Sequence, residues 1–232
     1  MKICIFSDIH GNVEALRLML KQEKENVDFY LFLGDVFGYF YNPVEVINTL
    51  MNISNLYSIK GNHDDLYIKG LSDSNIREKC IDAYGKSYSF NISLEQQKYI
   101  TTMPEFIKIN IAGKRIGAYH GGPLDYLNER VYPDSHISLK KDDRELDYLF
   151  LGHTHYRFDK TIGETTIINP GSLGQPRDGK GFSYCILNCD NDYFEFKNVN
   201  IDIKQLLLQA KLKDYGTKNY QYLEKKYGVQ NE

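Results

Sequence analysis

Five of the six histidines in this 232-residue chain stand in short clusters with Asp or Asn, each directly behind an apolar run. The clusters are Asp8-Ile9-His10, Gly34-Asp35, Gly61-Asn62-His63-Asp64, His120-Gly121-Gly122 and Gly152-His153-Thr154-His155; His136 alone lies outside them. An apolar run ending in a polar residue reads as a buried strand that opens onto a loop, and α/β sheets bind ligands at such strand ends. Each cluster also has an ordinary reading. Asp8 or Asn12 can cap a following helix, and Asp35 beside Gly34 can serve a turn. Gly61-Asn62 is a turn sequence that leaves His63 unexplained. His120 before two glycines marks either a close approach of backbone to a ligand or a plain turn. The i, i+2 pair Asp8 and His10, if extended, points both side chains at one metal, and His153 and His155 repeat the spacing. Together, four histidines, two aspartates and an asparagine supply enough ligands for two divalent cations. This N/O set without thiolate suits Mn²⁺, Fe or Zn²⁺.

The elements that must deliver these clusters are read from periodicity. Residues 2–7, 28–33 and 55–59 read as buried strands. Between them lie helices over 12–25, with Val13, Leu16 and Leu20 on one face, and over 42–52, opened by Pro43. This β-α-β-α-β order calls for right-handed crossovers and a parallel, helix-covered sheet. Residues 72 to about 103 are helical in pattern, with Ser93 and Gln96 as a capping box. Beyond Pro104, strands are expected at 106–111, 115–119, 148–151, 158–162, 165–168, 182–188 and 193–199, then helices at 202–213 and 215–227. Without a linker, repeat or low-complexity segment, residues 1–232 are expected to form one domain, with a motif core over 1–200 and C-terminal helices over 201–232. A second β-rich sheet packed on the first, with helices outside both, accounts for the elements.

Hydrophobic residues make up 42% of the chain and charged residues 25%, ordinary proportions for a soluble globular protein. The net charge is −3, and no stretch concentrates Lys and Arg enough to track a phosphate backbone, so no large nucleic acid partner is expected. A mononucleotide or dinucleotide stays open. Cys4, Cys80, Cys185 and Cys189 lack the spacing of a zinc site and are expected to be small buried residues in a reducing compartment. Asp8 ends the first apolar stretch too early for a signal peptide. No run approaches the roughly 20 apolar residues of a bilayer span. A cytoplasmic protein with no membrane partner is therefore expected, and a homo-oligomer is left open.

In their order, the five clusters resemble the signature of the calcineurin-like metallophosphoesterases. That signature runs Asp-X-His, Gly-Asp, Gly-Asn-His-Asp/Glu, a lone His, then Gly-His-X-His; here it spans residues 8–155. Asn169-Pro170-Gly171-Ser172 resembles a motif of the small bacterial members. The resemblance implies an α/β fold, a four-layer αββα sandwich of two mixed sheets flanked by helices. It implies that Asp8, His10, Asp35 and His155 hold one metal, and that Asp35 bridges to a second held by Asn62, His120 and His153. Mn²⁺ is the first choice of metal, with Fe, Zn²⁺ or Ni²⁺ as alternatives. Such a pair clamps the attacking and leaving oxygens of an in-line displacement. The implied reaction is hydrolysis of a phosphate ester or anhydride without a covalent enzyme intermediate. His63 would contact phosphate and protonate the leaving oxygen, a role worth about 10²–10⁴-fold in rate.

The chain departs from the pattern at one point. Many relatives carry a carboxylate three residues after the bridging Asp to orient the acid histidine, whereas here that position is Gly38, leaving the part to Asp64 or Asp65. The arginines of protein Ser/Thr phosphatases and dinucleoside tetraphosphatases are also missing, since the chain reads Gly34-Asp35-Val36-Phe37-Gly38-Tyr39 and Lys60-Gly61-Asn62-His63-Asp64. The resemblance is therefore to the small bacterial phosphodiesterase branch, with a small phosphorylated molecule or nucleotide as substrate. A phosphomonoesterase and a non-catalytic scaffold, as in a retromer subunit of this fold, are the alternatives. Asn62, His63 and Arg177 are candidate substrate contacts, Arg177 equally a solvated loop residue. Tyr39, Phe40 and Tyr41 either stack on a nucleobase or simply pack. Lys211, Lys213, Lys218, Lys225 and Lys226 are expected on a solvated helix face.

Overall fold

The computed structural model describes residues 1–89 and 91–228. Strands β1 (Lys2–Phe6), β2 (Phe29–Phe32) and β3 (Leu56–Ser58) run parallel, joined by helices α1 (Val13–Glu23) and α2 (Pro43–Met51). The periodic segments yield these elements to within a residue or two. Asn12 caps α1 by accepting from the Ala15 amide at 3.2 Å, and Pro43 opens α2.

The later strands divide between two sheets. β4 (Phe106–Ile111), β5 (Lys114–Tyr119), β6 (Tyr148–Phe150), β7 (Phe158–Ile162) and β8 (Thr165–Asn169) form the second sheet in the order β4-β5-β6-β8-β7. β9 (Phe182–Asn188) and β10 (Tyr193–Val199) return to the first, which reads β10-β9-β1-β2-β3. Both sheets are mixed. β1 pairs parallel with β2 and antiparallel with β9, while β6 pairs parallel with both β5 and β8.

Alternation along β1 explains the stacking. Ile3 and Ile5 face the second sheet, meeting Ile116, Ala118, Phe150 and Ile168, whereas Cys4 and Phe6 face Leu16 and Met19 of α1. A strand buried on both faces reads as a continuous apolar run, as this one does. Helices α3 (Asn62–Gly70), α4 (Ser74–Tyr84), α5 (Leu94–Thr102), α6 (Ile203–Asp214) and α7 (Lys218–Tyr227) add to the layer on the first sheet. The outer face of the second sheet is covered by Val131, Ile137, Leu139 and Leu146. These come from a long irregular segment whose helical part is a 3-10 turn at Lys141–Glu145. No helix among the described residues is long and apolar enough to cross a membrane.

Two local features depart from periodicity. Lys226 is not on a solvated face: its ammonium lies near the rings of Tyr222 and Tyr227, where burial pushes its pKa down to about 7. Gly61-Asn62-His63-Asp64 is not a free turn but the start of α3. The Asp64 carboxylate accepts from the Gly61 amide at 2.9 Å and also from the amides of Asp35 at 2.9 Å and Val36 at 2.8 Å. One buried carboxylate thus caps α3 and ties it to the loop after β2. Asp64→Ala would leave three buried donors, each costing about 1–3 kcal/mol if unpaired. We expect it to lower stability by at least about 2 kcal/mol, read as the midpoint of urea unfolding; an unchanged midpoint would show that the donors find other partners.

Candidate metal centre

The loops after β1, β2, β5 and β6, with the start of α3, bring the clustered residues to one edge of the two sheets. The first two loops are laced together. The Asp8 amide donates to the Gly34 carbonyl at 2.9 Å, His10 to Asp35 at 3.0 Å and Gly11 to Val36 at 2.8 Å. The segments are not extended. Asp8, His10, Asp35, His153 and His155 all have positive φ, between 49° and 69°. A left-handed conformation costs a non-glycine residue of order 1–3 kcal/mol, and such strain collects at functional sites. The i, i+2 pairs therefore face the centre because both members turn left-handed. His153 and His155 also part company there, reaching opposite ends of the cluster.

Around one end, His155 Nε2 lies 3.1 Å from Asp8 Oδ1 and 3.0 Å from His10 Nε2, and His10 Nε2 lies 3.7 Å from Asp35 Oδ2. Around the other, Asn62 Oδ1 lies 3.0 Å from His120 Nε2 and 2.8 Å from His153 Nδ1. His120 Nε2 is also 3.3 Å from Asp35 Oδ2, so this one oxygen lies beside both groups. All seven residues of the expected ligand set are thus brought together.

Hydrogen bonding decides what this cluster can hold. His10 Nδ1 donates to the Phe37 carbonyl at 2.6 Å, His120 Nδ1 to Leu33 at 2.7 Å and His155 Nδ1 to Gln175 at 2.6 Å. A carbonyl only accepts, so the proton of each neutral ring is fixed on Nδ1 and Nε2 carries a bare lone pair. These lone pairs converge on one another and on Asp8 Oδ1 and Asp35 Oδ2, two buried oxygens that accept no hydrogen bond among the described residues. Such an arrangement repels itself unless a cation sits within it. The residues present therefore fit divalent metal. Burial alone would raise the Asp35 carboxyl, but His120 and His63 hold it below the usual carboxylate range. Burial would lower His120, yet Asp35 and Asp8 push it up to about 9, so a metal-free centre keeps a proton there.

His63 borders the cluster without joining either group's closest contacts. Its amide donates to Asp35 Oδ1 at 2.9 Å, and its Nδ1 donates to the Tyr88 hydroxyl at 2.6 Å, which in turn donates to the His63 carbonyl at 3.2 Å. Asp64 and Asp65 do not orient it. Asp64 is spent on backbone amides, and Asp65 pairs with Lys69 at 2.6 Å. Nor is there room for a carboxylate at position 38, because a Cβ on Gly38 would lie 2.8 Å from His63 Nδ1 and 3.2 Å from His10 Nδ1. Tyr88 has no sequence signal: it lies 25 residues away in a short helical turn, and only the tertiary fold brings it here. Burial, opposed by Asp35, pushes His63 down to about 3, so the ring is neutral at rest.

Asn169-Pro170-Gly171-Ser172 braces the ligand loops and does not ligate. Asn169 donates to the Gly152 carbonyl at 2.7 Å, and Ser172 Oγ to the Asp8 carbonyl at 2.8 Å. Arg177 stands at the rim, where its Nη2 donates to the Tyr39 hydroxyl at 2.9 Å, and the Tyr39 ring lies edge-on to His10 at 4.8 Å. Phe40 and Tyr41 are packed in the core, and His136 is exposed in the segment covering the second sheet.

The chain is similar to known proteins in sequence and in fold. A family model described as the calcineurin-like phosphoesterase superfamily domain matches residues 1–192. The uncharacterized protein MJ0912 of Methanocaldococcus jannaschii is 31% identical over 228 residues, covering 88% of this chain and 89% of that one. The phosphodiesterase YfcE of Escherichia coli strain K12 is 24% identical over 201 residues, covering 83% of this chain and 89% of its own length. A crystal structure of a metallophosphoesterase from Sphaerobacter thermophilus superposes with a TM-score of 0.77 at 25% identity, covering 96% of this chain and 98% of that one. The chain belongs to the calcineurin-like phosphoesterase superfamily and is a hydrolase of phosphate esters.

Proposed function

We propose that the protein is a phosphodiesterase of small phosphorylated molecules, working with two divalent cations, Mn²⁺ foremost. The observation that carries this reading is the convergence of bare Nε2 lone pairs and orphaned carboxylate oxygens into two groups that share Asp35. Asp8, His10, Asp35 and His155 would hold one cation, and Asp35, Asn62, His120 and His153 the other. Bound there, such ions supply Lewis acidity and a water whose pKa is lowered toward about 7. The similarity to phosphodiesterase YfcE supports a diester over a monoester. Four unpaired, buried cysteines support a reducing compartment, the cytoplasm.

The remaining chemistry belongs to side chains. With its Nδ1 proton committed to Tyr88, His63 has Nε2 left for the substrate. A bare nitrogen repels a phosphoryl oxygen, so binding of an anionic phosphate favours protonation at Nε2. That proton is then placed to pass to the departing oxygen. The Asn62 amide and the Arg177 guanidinium are further donors to the phosphoryl group.

Two outcomes follow. After chelation, hydrolysis of bis-p-nitrophenyl phosphate is lost, and Mn²⁺ restores it above the rate on the p-nitrophenyl monoester. Preference for the monoester would move the reading to a phosphatase, and no turnover of either by metal-loaded protein would defeat it. His63→Ala slows esters with poor leaving groups by about 10²-fold or more while sparing p-nitrophenyl esters, which need little protonation. An equal loss on both, in kcat/KM, would remove His63 as the acid.

A further inference from the structure

A groove of about 560 Å³ opens beside the metal centre, within the size range of small-molecule sites, roughly 300–1,000 Å³. Three tyrosines line it. Tyr39, 8% exposed, lies deepest, while Tyr84 and the 38%-exposed Tyr222 stand beside it with ring centroids 5.4 and 5.6 Å from that of Tyr39. The groove backs onto the site of chemistry, because its wall residues Tyr39 and Tyr84 pack on His10 at 4.8 Å and on His63 at 4.8 Å. A phosphoryl group against His63 would lie one ring, that of Tyr84, from the groove.

The polar part is built rather than incidental. Gln175 is fully buried; its side chain accepts from Arg177 Nε at 3.0 Å and donates to the Tyr222 hydroxyl, while its carbonyl accepts from the ligand His155 at 2.6 Å. Arg177 is held by neutral oxygens and, among the described residues, enters no ion pair. The neighbouring cation, Lys218, is paired with Asp82 at 2.5 Å. Asn219 of α7 fixes the wall by donating to the Tyr39 carbonyl at 2.9 Å. A guanidinium outside any close ion pair, beside a set of aromatic faces, matches a planar ring that carries phosphate. Tyr222 and Asn219 come from the last helix, beyond the residues 1–192 matched by the family model.

We propose that this groove is a nucleobase subsite and that the substrates are nucleotides, a refinement that rests on the phosphodiesterase reading above. The base would lie against Tyr84 and Tyr222 over Tyr39, with Arg177 contacting the phosphate that leads to the metal centre. Aliphatic phosphodiesters would leave the rings unused.

The test is direct binding of AMP and ribose 5-phosphate to the Mn²⁺-loaded protein by calorimetry, since the two share a phosphate monoester and differ in the base. We expect AMP to bind at least tenfold more tightly, within the range that base–aromatic stacking supplies. Tyr222→Ala and Tyr84→Ala should each bring the ratio to about threefold or less. Equal affinities in the unaltered protein, a ratio that survives both substitutions, or no binding of either ligand would overturn the subsite. Failure of diester hydrolysis with the tenfold ratio intact would overturn the hydrolytic reading alone.

Discussion

The centre depends on three hydrogen bonds that never touch a substrate. Backbone carbonyls of Leu33, Phe37 and Gln175 take the Nδ1 protons of His120, His10 and His155, and so decide that three Nε2 lone pairs point inward. Fixing the tautomer from outside raises ligand basicity and locks ring orientation. The consequence is an interior that is self-repelling without positive charge. A cation is then part of the fold's electrostatic balance as well as of its chemistry.

Holding those carbonyls and rings in place takes a chain of constraints. Left-handed backbone at five residues of the candidate metal centre is tolerated because the loops are over-determined by neighbours. Asp64 clamps the loop after β2 to α3, and Asn169 and Ser172 clamp the loops after β6 and β1. Glycine is needed where rings crowd the backbone, as at Gly38 under His63 and His10. That requirement also bears on how His63 is oriented. With position 38 closed to a carboxylate, the partner comes from Tyr88, a neutral hydroxyl that fixes the ring without adding negative charge near the ligands.

Much of the centre was legible because metal chemistry is type-specific. Few sequences need Asp-X-His, Asn-His and His-X-His behind apolar runs, and the seven residues named from that pattern lie together. Strands with clean patterns, such as β4, β7, β9 and β10, fall on the expected residues. What escaped depended on distant partners. Helix α3 begins in a turn-like sequence and is capped by a carboxylate that also serves residues 28 and 29 positions away. Tyr88 is joined to His63 only through space. The return of β9 and β10 to the first sheet is a matter of topology, which alternating burial cannot encode. Asp8 and His10 do share one end of the cluster, but through left-handed rather than extended backbone, and the equally spaced His153 and His155 diverge to its two ends.

Metal binding at this centre requires cations to replace a proton within converging lone pairs. Calorimetric titration of the chelated protein with Mn²⁺ at several pH values measures this directly. His120, with its metal-free pKa pushed up to about 9, must lose its proton for Nε2 to ligate. We expect two equivalents bound, about one proton released per protein near pH 7, and an affinity that rises with pH until about 9. Binding of less than one equivalent, or an affinity that does not change between pH 6 and 8, would contradict this expectation.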